Sequence, residues 1–150
     1  MKVSTIAVLP LVLAFAGGCN GEGISGSPAG FPHATAERSC GPADGPAVLI
    51  YLTSEPFAEN PRPPYVVVFI ERSVDQLAGQ SFSVGADPSQ ARATRALSTT
   101  QSVAATSGTI SIESVSTDKA ITGSVNLLFP VGRTAGRFTA AWIERFMLCG

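Results

Sequence analysis

Large apolar side chains fall into three regimes along this chain. From Val3 to Ala16 they are nearly continuous. From Asn20 to Glu37 only Ile24 and Phe31 interrupt a stretch rich in Gly, Ser, Ala and Pro. From Ala47 onward they come in blocks of strand length. Ala47–Leu52 (AVLIYL) and Tyr65–Glu71 (YVVVFIE) are β-branched and aromatic, with apolar residues on both alternating faces. That pattern predicts central strands covered on both sides. Between them Thr53–Pro64 carries Pro56, Pro61, Pro63 and Pro64, which forbid a central strand and predict a long, stiff loop. Ser73-Val74-Asp75-Gln76 has the spacing of a capping box and predicts one short helical turn ending near Gly79. Ser81–Gly85, Arg92–Leu97 and Gln101–Thr106 read as short strands.

The last third alternates more cleanly. Thr109–Glu113 puts Ile110 and Ile112 on one face, and Ser116-Thr117-Asp118-Lys119 forms a polar turn. Ile121–Phe129 then places Ile121, Val125, Leu127 and Phe129 together, opposite Thr122, Ser124 and Asn126. Pro130–Gly136 reads as a turn. Arg137–Met147 follows as a strand with Phe138, Ala140 and Trp142 on one side. Three alternating strands joined by short turns predict an antiparallel meander. The expected fold is all-β: a single antiparallel β-sandwich or small β-barrel with one short helical turn.

Composition divides the chain further. The stretch before Arg38 has too little apolar surface to offset its ordering entropy and reads as a flexible tether, so the β-domain is placed at residues 38–150. A domain of about this length closes a core. His33, the one histidine, falls in that tether. The formal net charge is −1, and no basic run or stripe is present, which argues against nucleic acid as a partner.

The N-terminus supplies the address. Lys2, the apolar run Val3–Ala16 and the small residues before Cys19 form the layout of a secretory signal peptide. The run is too short for a membrane span of ~20 residues and contains Pro10. Ala16-Gly17-Gly18-Cys19 resembles the lipobox of bacterial lipoproteins. That resemblance implies a signal peptide at 1–18, a diacylglyceryl group on the Cys19 thiol, and a lipidated cysteine and tether at 19–37. It also implies attachment to the membrane through the Cys19 lipid. Asn20, in place of an aspartate, implies the outer membrane. The competing reading is ordinary cleavage after Ala14-Phe15-Ala16, which releases a soluble periplasmic or secreted protein. The cysteine count bears on this choice. The chain has three, Cys19, Cys40 and Cys149, and lipidation of Cys19 leaves an even pair. In an oxidising compartment Cys40 and Cys149 are expected to form a disulfide joining the two ends of the domain, the alternative being two buried thiols. The segments around Gly108, Ile121 and Gly136-Arg137-Phe138-Thr139-Ala140 also resemble the C-terminal meander of small β-rich bacterial lipoproteins. That second resemblance implies no activity.

Candidate chemistry is sparse. Ser116–Lys119 matches S-x-x-K, but the serine-acylase chemistry needs a helix start plus S-D-N and K-T-G elements, which are absent. With His33 in the tether, no Ser-His-Asp triad or zinc site can be assembled. Asp44, Asp75, Asp87 and Asp118 lack the spacing of a calcium loop, and no phosphate-binding glycine loop or other cofactor motif occurs. A carboxylate pair converging in the fold is left open. Tyr51, Tyr65, Phe69, Phe129, Phe138 and Trp142 either fill a core or line a lipocalin-like cavity. Arg92, Arg95, Arg133, Arg137 and Arg145 read as solvated charges or as an anionic-glycan surface. The expectation is a non-enzymatic envelope lipoprotein, a structural or interaction module for an envelope protein or glycan. The alternative is a lipocalin-like carrier of a small apolar ligand.

Overall fold

A computed structural model describes residues 26–56, 60–85 and 90–149. The signal segment, Cys19 and Asp87 lie outside them. The described residues form nine strands: β1 (His33–Cys40), β2 (Pro46–Thr53), β3 (Tyr65–Ile70), β4 (Ser81–Val84), β5 (Ala91–Ala96), β6 (Ser102–Ala104), β7 (Ser107–Val115), β8 (Ile121–Phe129) and β9 (Gly132–Ile143). They make one curled sheet in the order β4-β7-β8-β9-β1-β2-β3-β5-β6. The fold is all-β, as the alternation predicts. No helix among the described residues is long and apolar enough to cross a membrane.

Two chain segments produce the curl. β9 pairs with β8 from Gly132 to Ala140 and then hands over to β1 at Ala141–Ile143. At the other edge the amide of Ala105 bonds to Ala93 and that of Thr106 to Leu128, so the chain steps directly from the β5 ladder to the β8 ladder. The β1–β9 pairing is parallel, so the sheet is mixed and not purely antiparallel. The cause lies in β1, which the sequence reading assigned to the tether. His33–Glu37 is strand, and the folded domain therefore begins before Arg38. Composition misled here because the inward positions of β1 are alanines. Ala36 stands in register with Ile50, Val68 and Ala93 across four strands, all of them buried. Ahead of β1, Phe31 is also buried in the core, with the Arg95 guanidinium 5.5 Å from its ring.

One core fills the concave side. Val48, Ile50, Leu52, Val66, Val68 and Ile70 come from β2 and β3, and Ile110, Ile112, Ile121, Val125 and Leu127 from β7 and β8. Size is matched across the facing strands. Gly123 sits between Ile112 and Phe138, and a Cβ there would press on the Phe138 ring. Gly136 explains the G-x-F-x-A segment. Its missing side chain lets the backbone of Ser27 and Pro28 lie against β9, where the Arg137 amide donates to the Gly26 carbonyl at 2.7 Å. Phe138 and Ala140 then enter the core, and Arg137 points out to pair with Glu113.

Two expected boundaries shift. The β8–β9 connection is two residues, Pro130-Val131, because Phe129 pairs with Gly132. Gly132–Gly136 is strand, not turn. β9 ends at Ile143, where its β1 partner ladder stops, and residues 144–149 leave the sheet. The helical turn is present as a single 3-10 turn, Val74–Gln76, but Ser73 makes no side-chain cap. Buried Val74 and Leu77 hold it in place.

Candidate functional site

The end of the sheet where β1 and β9 finish gathers most of the unusual chemistry. Cys40 closes β1, and its sulfur is bonded to Cys149 across 109 residues of sequence, with Cα atoms 5.6 Å apart. The Cys40–Cys149 disulfide expected from the cysteine count is therefore present. Between Ile143 and Cys149 the chain forms a strap pinned at both ends. At its near end the Arg145 Nε lies 2.9 Å from Glu37 Oε2. This is a charge contact, not an aligned hydrogen bond. Glu37 is only 4% exposed, and its Oε1 accepts the Tyr51 hydroxyl at 3.1 Å. The Tyr51 hydroxyl ionises late, with its pKa raised to about 12, first by burial and then by the adjacent Glu37 charge.

Between the two pins the strap turns its apolar side chains outward. Phe146 is 91% exposed, Met147 37% and Leu148 80%. These are three of the five large apolar side chains exposed among the described residues, the others being Leu128 and Val131 at the opposite end of β9. Pinning matters to the interpretation, because a frayed terminus exposes such groups for no reason whereas a strap held by a disulfide exposes them in a fixed place.

A cleft of about 380 Å³ opens beside the strap, floored by Val48, Val74 and Trp142 and rimmed by Arg38, Asp44 and Asp75. Trp142 is roofed by Lys119, whose ammonium lies 5.6 Å from the ring centre. Lys119 also pairs with Glu144 and holds that carboxyl below the usual range. The indole N–H adds to the effect without the alignment of a full hydrogen bond. The β1–β2 loop on the rim puts consecutive residues, Ala43 and Asp44, in the left-handed region (φ 55° and 60°). This is the backbone of a hairpin turn that more often carries Asn or Gly.

The residues singled out from sequence separate as follows. Cys19 lies outside the described residues. His33 opens β1, at the far end of that strand from Cys40. Ser116–Lys119 is a hairpin turn, with the Lys119 amide bonded to the Ser116 carbonyl at 2.9 Å, and has no helix start for acylation chemistry. Phe129 and Phe138 are core, Tyr51 and Tyr65 pack together on the outer face with ring centres 6.4 Å apart, and Trp142 floors the cleft. Each of the five arginines has a partner of its own. Arg92 lies over Phe69, Arg95 over Phe31, Arg133 donates to Asn126, Arg137 pairs with Glu113 and Arg145 with Glu37. Asp44 and Asp75 do reach one cleft, but both are exposed on its rim, whereas a glycosidase acid needs an apolar, desolvated setting. Among the described residues no group of three or more His, Cys, Asp or Glu could hold a metal ion.

Sequence reasoning missed Glu37 and the strap. Glu37 lay in a stretch read as tether, and its partners Tyr51 and Arg145 are brought to it only by strand register. Phe146–Leu148 read as a continuing strand, although the charged pair Glu144-Arg145 was a signal that the alternation had ended. Comparison with protein-family models, with curated proteins and with solved structures returns no match.

Proposed function

We propose that this protein is an exported lipoprotein held at the outer membrane by acyl chains on Cys19, and that its disulfide-closed β-domain is a non-enzymatic interaction module of the cell envelope. The observation that carries this reading is the Cys40–Cys149 bond. It supports an oxidising compartment and leaves Cys19 as the one cysteine outside that bond, at the end of an apolar segment. A spare thiol in such a compartment invites oxidation and mispairing, and lipidation removes it. The carrier alternative is less well supported, because Phe129 and Phe138 are spent on a contiguous core and Tyr51 and Tyr65 face outward.

Detergent phase partition from cells expressing the full chain tests the anchor. The wild type is expected in the detergent phase and Cys19→Ser in the aqueous phase. A wild-type protein found in the aqueous phase overturns the lipoprotein reading and restores the soluble carrier.

A further inference from the structure

We infer that the strap Phe146-Met147-Leu148 is a second, reversible membrane contact that turns the disulfide end of the domain toward the bilayer. The inference rests on the lipoprotein reading for the presence of a bilayer, but on separate observations for the contact. First, Phe146 and Leu148 protrude, at 91% and 80% exposure, far beyond Leu128 (49%) and Val131 (50%) at the other end of β9. Protruding apolar side chains suit a fluid surface, which has no shape to match. Second, the strap is fixed by the Glu37–Arg145 contact and the Cys149 disulfide, so little ordering is lost when it inserts.

Third, a hollow of about 460 Å³ between the strap and β1 is lined by Arg38, Glu144 and Arg145 along with the three apolar residues. Glu144 is paired with Lys119 and Arg145 with Glu37, and the exposed Arg38, which also helps to lower the Glu144 carboxyl, gives the cluster a net positive charge. An apolar ridge beside a net positive cluster is complementary to acyl chains beneath an anionic phosphate headgroup. Fourth, the tether reaches. Gly26 is bonded to Arg137, six residues before Ile143, or ~20 Å along β9. The seven residues from Cys19 to Gly26 add at most ~25 Å. A lipid on Cys19 can therefore lie in the same plane as the strap.

Trp142 is the single tryptophan and floors the cleft beside the strap, so it reports on this contact directly. The lipidated protein is placed in vesicles of phosphatidylethanolamine and phosphatidylglycerol containing lipids brominated near the headgroup. Trp142 fluorescence is expected to be quenched at least twofold. The exposed-site variant Phe146→Asp/Leu148→Asp is expected to lose most of that quenching while its intact mass still carries the acyl chains, and Leu128→Asp/Val131→Asp to keep it. Unquenched wild-type fluorescence, with acylation confirmed by mass, overturns the strap contact but not the anchor. A bare mass overturns the anchor, and flotation of the bare wild type with the same vesicles, abolished in Phe146→Asp/Leu148→Asp, still supports the strap. A photocrosslinker at position 146 that captures a protein in cells, with no quenching, overturns the membrane contact in favour of a protein interface.

Discussion

Replacing both Cys40 and Cys149 by serine opens a loop that spans 109 residues of sequence. The native ladder survives the change, because β1 is held to β2 over its full length and to β9 at Thr35–Glu37 without help from sulfur. The effect therefore falls on the unfolded chain, whose ends are freed. For a loop of about 100 residues the chain-entropy relation gives about 4.7 kcal/mol at 25 °C. That is from just under a third to nearly all of the stability of a typical domain, which lies at about 5–15 kcal/mol. The melting temperature should fall by on the order of 15–20 °C. Urea unfolding followed by Trp142 fluorescence measures it, with the serine pair compared against the oxidised wild type. The midpoint should drop and the m-value rise, since an uncrosslinked chain exposes more surface when it unfolds. A loss below about 1 kcal/mol with an unchanged m-value would refute the reasoning, because the ends would then be held together in the denatured chain by something other than the disulfide.

Three further outcomes follow from single contacts. Glu37→Ala removes a buried carboxylate that serves both Tyr51 and Arg145. The half-exposed Arg145 can rehydrate, so the cost should sit near the low end for a broken buried pair, about 2–3 kcal/mol by urea unfolding, with Glu37→Gln closer to wild type. Tyr51 makes stability fall at alkaline pH. Its folded pKa of about 12 lies above the ordinary 10.0, so its contribution is complete below pH 10 and is lost as pH rises from 10 to 12. Absorbance titration of the two tyrosines should show one late ionisation that vanishes in Tyr51→Phe and moves only part of the way down in Glu37→Gln, since burial is the larger cause. Gly136→Ala puts a methyl group into the backbone of Ser27 and Pro28, so residues 26–31 must lift off β9 at about 1–3 kcal/mol. Hydrogen exchange at the Arg137 amide, which is bonded to Gly26, should accelerate ahead of the rest of the strand.

β2 and β3 were legible as apolar, β-branched runs of strand length, and β7 and β8 by an alternation that places large residues on one buried face. β1 was not legible, because Ala34 and Ala36 present small side chains inward and leave no hydrophobic signal. What makes β1 a strand is the pair of partners waiting on either side, β2 and β9, which lie far away in sequence. The parallel β1–β9 ladder was hidden for the same reason. The disulfide could be read by counting, since it depends on parity and compartment and not on geometry. Glu37 with Tyr51 and Arg145 could not be read, because three elements supply one residue each. The strap is a middle case. Phe146, Met147 and Leu148 are plain in the sequence, but their exposure is decided by β9 running out of partners at Ile143 and by Cys149 being drawn back to Cys40.

The central claim is that one cysteine carries lipid while the other two close the domain. The denatured, unreduced intact mass of the protein extracted from its own cells tests both halves together. The account predicts the mass of Cys19–Gly150 plus a diacylglyceryl group and an acyl chain, less two hydrogens, with the two hydrogens regained on reduction. A bare chain beginning at Gly17, with a free thiol at Cys19, would contradict it.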